Sequence, residues 1–214
     1  MAPLKLVIGN KNYSSWSLRA WLALKQAGVA FEEIRIPLSQ PTTREQLLQY
    51  SPSGLVPVLQ HGALTLWESI AICEYIAEQF PDRPLYPESV EARAVARSVS
   101  AEMHAGFSAL RQYFPMDCRS RISKHPIPTQ VQADIDRILA IWRICRQQFG
   151  PGGDFLFGTF SIPDAMYAPV VTRFITYGVP LDDTAQAYAD AIVSLPAMQE
   201  WLSAAAAETE VIHY

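Results

Sequence analysis

The sequence predicts two domains of different class: an α/β domain built on a mixed four-stranded sheet with helices, over residues 1–80, and an all-α domain over residues 89–214. Three observations predict this. The first part alternates short stretches of strand length with stretches of helical spacing, which implies a sheet with helices on its faces. Its last two strand-like stretches are close enough to pair as a hairpin, so the sheet is partly antiparallel. Beyond a proline-rich linker at 81–88, every periodic stretch has helical spacing.

In order, the apolar run Leu4 to Ile8 reads as a strand. Leu18, Trp21, Leu22 and Lys25 give a helix over 15–27, with Gly28 placed to end it. Phe31 to Ile36 mixes apolar and charged residues and reads as a second strand. Thr42 to Tyr50 makes a short helix, stopped at Ser51-Pro52-Ser53-Gly54. Val56-Pro57-Val58-Leu59 and Leu64-Thr65-Leu66-Trp67 form the hairpin across His61-Gly62. From Glu68 the pattern turns helical through Ile70, Ile72, Cys73, Ile76 and Ala77. In the second part, Val95, Val99, Met103, Phe107, Leu110 and Phe114 mark one long helix, followed by a loop from Pro115 to Pro128. Val131 to Phe149 is a second long helix, ended by Gly150-Pro151-Gly152-Gly153. Ser161–Tyr177, Asp183–Val193 and Pro196–Ala207 complete the set.

With 214 residues, 50% hydrophobic and 18% charged, the chain is long enough to bury a sizeable core. A net charge of -4 without basic clusters argues against nucleic acid as a partner. No apolar run reaches the ~18 residues of a membrane span. The start, Met1-Ala2-Pro3-Leu4-Lys5, lacks the regions of a signal peptide, so a cytoplasmic protein is expected. Cys73, Cys118 and Cys145 are far apart with no Cys-x-x-Cys. That disfavours a zinc knuckle or dithiol centre, so no metal is expected and the thiols read as reduced, with Cys73 and Cys145 packed on helices.

Three places carry chemistry together. In Lys11–Arg19, a polar loop joins a strand to a helix, and Ser14 or Ser15 can cap that helix. Its free N–H groups favour negative charge. Alone, the stretch reads as a capped loop. In Val56-Pro57, the proline belongs at an edge or turn and the bond before it can be cis, leaving the Val56 backbone to pair with a bound peptide. In Glu68-Ser69, a helix start can take a carboxylate on its N–H groups and an ammonium on Glu68, which is the head group of an α-amino acid. All three fall along one edge of the predicted sheet and suit a small γ-glutamyl peptide.

At this point the chain resembles the cytosolic glutathione transferases over nearly its full length. The resemblance rests on Ser14-Ser15-Trp16-Ser17-Leu18-Arg19, Leu55-Val56-Pro57-Val58-Leu59, Trp67-Glu68-Ser69-Ile70-Ala71-Ile72 and Phe160-Ser161-Ile162-Pro163-Asp164-Ala165. The last is similar to the family's N-capping box. The first is most similar to the zeta-class Ser-Ser-Cys-x-x-Arg signature, with Trp16 where that signature has cysteine. The resemblance implies a thioredoxin-like first domain, glutathione as cosubstrate, a small electrophile as second substrate and a homodimer. It implies Ser14 as the catalytic serine, with Ser15 and Arg19 supporting the thiolate, a choice between the serines that spacing alone leaves open. It implies that Val56 pairs through its backbone before cis-Pro57, and that Glu68 and Ser69 hold the γ-glutamyl group.

The second substrate is expected between the domains. Candidates are Trp16, His104, Ser108, Arg111, Gln112 and Tyr113, with Met116 just beyond, and Arg173 as a possible ligand for an acid. The sequence pairs His104 with no carboxylate. Thr176 stands where the zeta isomerases carry a substrate-binding arginine. The leading expectation is a transferase that activates glutathione. The alternatives are a zeta-like cis-trans isomerase of the maleylacetoacetate type and a non-catalytic interaction protein. A disulfide reductase would need a cysteine within 14–16, and none is present.

Overall fold

The computed structural model describes residues 3–122 and 126–212. Met1 and Ala2, and the middle of the loop expected at 115–128, lie outside the described residues. The chain runs β1 (Leu4–Ile8), α1 (Ser15–Gln26), β2 (Glu32–Arg35), α2 (Thr43–Leu48), β3 (Val58–His61), β4 (Leu64–Trp67) and α3 (Ser69–Gln79). After a segment without helix or strand come α4 (Val90–Ala105), α5 (Ser108–Tyr113), α6 (Thr129–Phe149), α7 (Ile162–Tyr177), α8 (Asp183–Ser194) and α9 (Pro196–Ala207). The strand order is β2-β1-β3-β4. β1 lies parallel to β2, while β3 is antiparallel to both β1 and β4. This is the mixed four-stranded sheet expected, with helices, followed by a helical part.

β1 is central and apolar on both faces because both are covered. Leu4, Leu6 and Ile8 enter the main core with α1 and α3, while Val7 joins Val58, Ile36 and Leu47 of α2 on the opposite face. Gly28 adopts φ +61 just past α1, the left-handed geometry that ends a helix most cheaply with glycine. Strand three begins at Val58 rather than Val56. The Val56-Pro57 bond is cis and Pro57 has no N–H to offer the ladder, so pairing starts beyond it.

The long helix expected through residues 95–114 is two helices. Gly106 is extended (φ -95, ψ -167) and Phe107 is left-handed (φ 57, ψ 43), which stops α4 and restarts the chain as α5. A Cβ at position 106 would lie 2.8 Å from the Glu102 carbonyl oxygen, so the break needs glycine there. Asp134 on α6 accepts from the Leu110 N–H at 2.8 Å, satisfying the first turn of α5. The apolar spacing continues across the break, which is why periodicity alone reads straight through it.

α7 is the axis of the helical part. Almost all of it is buried, and it packs against both α1 and α4. Ser161 sits at its N-cap, and the fully buried Asp164 accepts from the Ser161 N–H at 2.8 Å, the Ser161 hydroxyl at 3.0 Å and the Leu156 N–H at 3.1 Å. α1 is thus packed between the sheet domain's α3 and the helical domain's α7, and residues at its N-terminus can touch both halves.

Candidate active site

Two adjoining hollows form one cleft at the N-terminus of α1. The first, about 490 Å3, is walled by Tyr13, Ser14, Ser15 and Trp16, by Leu38, Thr43 and Leu47, by Gly54 to Val56, and by Arg111, Pro115, Met116 and Arg173. The second, about 250 Å3, is walled by Trp16, Leu55, Val56, Pro57, Trp67, Glu68 and Ser69. Trp16, Leu55 and Val56 belong to both, so the three sequence constellations meet around Trp16.

Ser14 is the N-cap residue of α1, but its side chain caps no backbone N–H. Its Oγ lies 2.7 Å from Ser17 Oγ, which accepts from the Gly9 N–H at 3.1 Å. Ser15 Oγ accepts from Arg173 Nη2 at 3.1 Å, across 158 positions of sequence. Arg173 is 3% exposed and is also spent on two carbonyls, Phe114 at 2.9 Å and Pro169 at 3.1 Å. It lines the cleft as a fixed part of the wall.

Arg19 is fully buried beneath Trp16, with its guanidinium 4.3 Å from the ring centroid, and is absent from the cleft lining. None of its three side-chain nitrogens has a hydrogen-bond partner. Burial first, then the charges of Arg173 and Arg111, hold its pKa down to about 9. Arg111 stands 5.5 Å from the same ring. The cleft wall therefore carries an excess of positive potential, which favours an anion.

Glu68 caps α3 in a left-handed conformation, φ 68 and ψ 120, that a non-glycine residue holds only at a cost of about 1–3 kcal/mol. Strain of this size at a cleft is a functional signal that no sequence pattern displays. Beside it, Ser69 is 1% exposed and its hydroxyl has no protein partner. His104, which the sequence left without a carboxylate, lies 3.4 Å from Glu68 Oε2 and edge-on to Trp16. Burial and the Arg19 charge hold the imidazole below its ordinary range, against the pull of Glu68. This shift favours the neutral imidazole, and the Glu68 side chain, half exposed, is accessible to an external cation.

Of the remaining candidates, Arg111 and Met116 line the cleft, whereas Ser108, Gln112 and Tyr113 are exposed and lie outside its lining. On α5, Leu110 and Phe114 pack inward and Arg111 borders the cleft. The buried Cys73 and Cys118 thiols are pushed up to about 12 and Cys145 to about 11 by desolvation, so all three are protonated and poor nucleophiles. Among the described residues no cluster of three or more His, Cys, Asp or Glu could hold a metal, and no helix is long and apolar enough to cross a membrane.

The loop before Ser14 is anchored from the far end of the chain, and sequence reading missed this. Glu208 accepts from the Lys11 N–H at 2.7 Å and the Asn12 N–H at 3.0 Å, while Trp201 Nε1 donates to the Lys11 carbonyl at 2.9 Å. Asn12 Nδ2 bonds Asp117, and Arg119 reaches Tyr13 Oη and the carbonyls of Glu208 and Glu210. Glu208→Ala leaves two buried N–H groups unpaired. It is expected to lower unfolding free energy by about 2–3 kcal/mol in denaturant titration, with Glu208→Gln recovering part of the loss.

Residues 13–79 match the family model of the glutathione S-transferase N-terminal domain, and residues 128–204 match that of the C-terminal domain. Glutathione S-transferase 1 of Dianthus caryophyllus is 34% identical over 92 residues, 42% of this chain and 42% of that protein. A probable maleylacetoacetate isomerase of Caenorhabditis elegans is 34% identical over 96 residues, 45% of this chain and 44% of that one. The chain spans about half the length of the curated relatives it matches. A crystal structure of a glutathione transferase homologue from Burkholderia (BGR1), with bound glutathione, superposes with a TM-score of 0.73 at 25% identity, covering 94% of this chain and 97% of that one. With both domain models matched in order on a fold shared along nearly its whole length, the chain belongs to the glutathione S-transferase family.

Proposed function

We propose that the protein is a glutathione transferase: it binds glutathione in the cleft, stabilises the thiolate with a serine hydroxyl of the 14–15 pair, and adds it to small electrophiles. The observation that carries this reading is the convergence of Ser14-Ser15, Val56-Pro57 and Glu68-Ser69 on one cleft around Trp16. Glu68 takes the γ-glutamyl ammonium, and the Ser69 hydroxyl with the α3 N–H groups takes the neighbouring carboxylate. The Val56 backbone pairs with the cysteinyl peptide unit, which leads the sulfur to the start of α1. A free thiol has a pKa near ~8.5, so lowering it by roughly two units takes about 2.7 kcal/mol of preference for the anion. A hydroxyl donor, the α1 N-terminus and the guanidinium charges of Arg19, Arg111 and Arg173 supply that preference. The electrophile enters on the side of Arg111, Pro115 and Met116, with Trp16 as the ring it meets. A homodimer in the cytoplasm is part of the same reading.

A zeta-like isomerase is the second reading, favoured by the nematode relative's name. Against it, Thr176 is buried and its one hydroxyl proton is shared between the Asp117 and Thr172 carbonyls, at 2.7 and 2.9 Å, so no cation stands at that position. Glutathione-dependent isomerisation of maleylacetone would establish it.

Titration calorimetry tests the main reading. Glutathione is expected to bind, and Glu68→Gln to weaken it about 10- to 100-fold, the worth of one charge-assisted contact. Absence of binding in the native protein would exclude the transferase and favour an interaction protein on this fold.

A further inference from the structure

We propose that Arg173 is a positioning residue that holds the Ser15 hydroxyl as the donor to the cosubstrate's sulfur, ahead of Ser14. This rests on the reading of the cleft as a glutathione site.

The two serines differ in what their oxygens already do. Ser14 Oγ is tied at 2.7 Å to Ser17 Oγ, a fully buried hydroxyl that already accepts from the Gly9 N–H. Either hydroxyl of the Ser14–Ser17 pair can donate in that bond, so the Ser14 proton is available to the cleft in only one of the two arrangements, the one in which Ser17 donates. Ser15 is in a different position. A guanidinium has donors only, so in the 3.1 Å contact with Arg173 Nη2 the Ser15 oxygen must accept. That bond consumes none of the Ser15 hydroxyl's donor capacity, and its proton is free to point into the cleft that Ser15 lines.

A cation bonded to a hydroxyl oxygen also polarises the O–H, which strengthens the bond that the hydroxyl donates onward. Arg173 is held in place to do this. Its Nε and Nη1 are anchored on the Phe114 and Pro169 carbonyls, and it is 3% exposed, so it cannot swing out to meet a substrate. Ser15 is the first residue of α1 and Arg173 lies on α7, so the bond also fixes the sulfur-binding end of the sheet domain to the helical domain. The charges of the buried Arg19 and the half-buried Arg111 add long-range field to the same corner and bias it toward an anion.

The test compares Ser14→Ala, Ser15→Ala, Arg173→Gln, Arg173→Lys and the Ser15→Ala/Arg173→Gln double variant. Three readouts are needed: glutathione Kd by calorimetry, the pH dependence of thiolate absorbance in the glutathione complex, and kcat/KM with a chlorodinitrobenzene. Ser15→Ala and Arg173→Gln are each expected to raise the bound thiol's pKa by about one unit and to lower kcat/KM at neutral pH about tenfold. Ser14→Ala is expected to cost no more than about threefold. Arg173→Lys should recover part of the loss, and the double variant should be within about twofold of Ser15→Ala, because the two residues act through one bond. If Arg173→Gln does not fold, the Ser14 and Ser15 variants decide alone. A larger thiol pKa change in Ser14→Ala than in Ser15→Ala overturns the proposal, as does a double variant in which the two losses multiply. Intact glutathione binding with an unmoved thiol pKa in Ser15→Ala overturns the proposal alone, whereas a native protein that binds no glutathione overturns the site reading with it.

Discussion

Asp164→Ala is expected to cost about 3–5 kcal/mol of stability and to lower Tm by roughly 10 °C, measured by scanning calorimetry. The carboxylate is fully buried and takes three donors, the Ser161 and Leu156 N–H groups and the Ser161 hydroxyl. Removing it leaves those donors in the core without partners, at about 1–3 kcal/mol for each that finds no substitute. It also strips the first turn of α7 of its charge, and α7 packs against α1, α4 and α8. A loss under about 1 kcal/mol would mean that water or a neighbour replaces the carboxylate, and the capping role would fail.

The same group has an unusual pH signature. Burial pushes the Asp164 carboxyl up to about 6 despite its hydrogen bonds, so the folded chain holds this proton more tightly than the unfolded one. Stability from this group therefore falls as pH rises from about 4 to about 6, the reverse of a salt-bridged carboxylate. Against the neutral isostere Asp164→Asn, the wild-type advantage is expected to shrink across that window and then level off.

How legible the molecule was in its sequence follows from the range of each signal. Strand and helix periods are local, and β1 to β4 and most helices fall where alternation and spacing put them. The Gly106-Phe107 break was present as a glycine, yet the apolar spacing on either side stayed in phase and masked it. Ser14, Ser15, Val56, Pro57, Glu68 and Ser69 were visible as local chemistry at strand ends and helix starts, and topology gathers strand ends together. What was not legible depends on contacts between distant residues. The Ser15–Arg173 bond spans 158 positions, and Glu208 reaches Lys11 across 197. His104 finds its carboxylate in Glu68 only once α4 is packed beside α3. The left-handed backbone of Glu68 leaves no compositional trace at all, since an ordinary glutamate occupies it.

Arg19→Met is expected to raise stability by about 1–4 kcal/mol while lowering kcat/KM for glutathione transfer about tenfold at neutral pH. The opposite signs follow from where the charge sits. Arg19 is fully buried, its three nitrogens lack hydrogen-bond partners, and stacking on Trp16 at 4.3 Å recovers only about 2 kcal/mol of the lost hydration. Methionine fills similar volume without a charge to desolvate. The pH dependence separates this from simple repacking. With its pKa held down to about 9 from 12.5, Arg19 binds its proton less tightly folded than unfolded. The unfolded state therefore holds more protons between those values, and wild-type stability gains as pH rises through about 9. The stability advantage of Arg19→Met should be full below that pH and shrink above it. A uniform advantage across pH would assign the effect to packing, and a lower Tm for Arg19→Met would show that the guanidinium is compensated. The activity loss has the complementary cause: the same charge that loses its hydration in the fold favours a thiolate in the cleft beyond Trp16. A residue that weakens the fold and strengthens an anion site is the expected trade between stability and function.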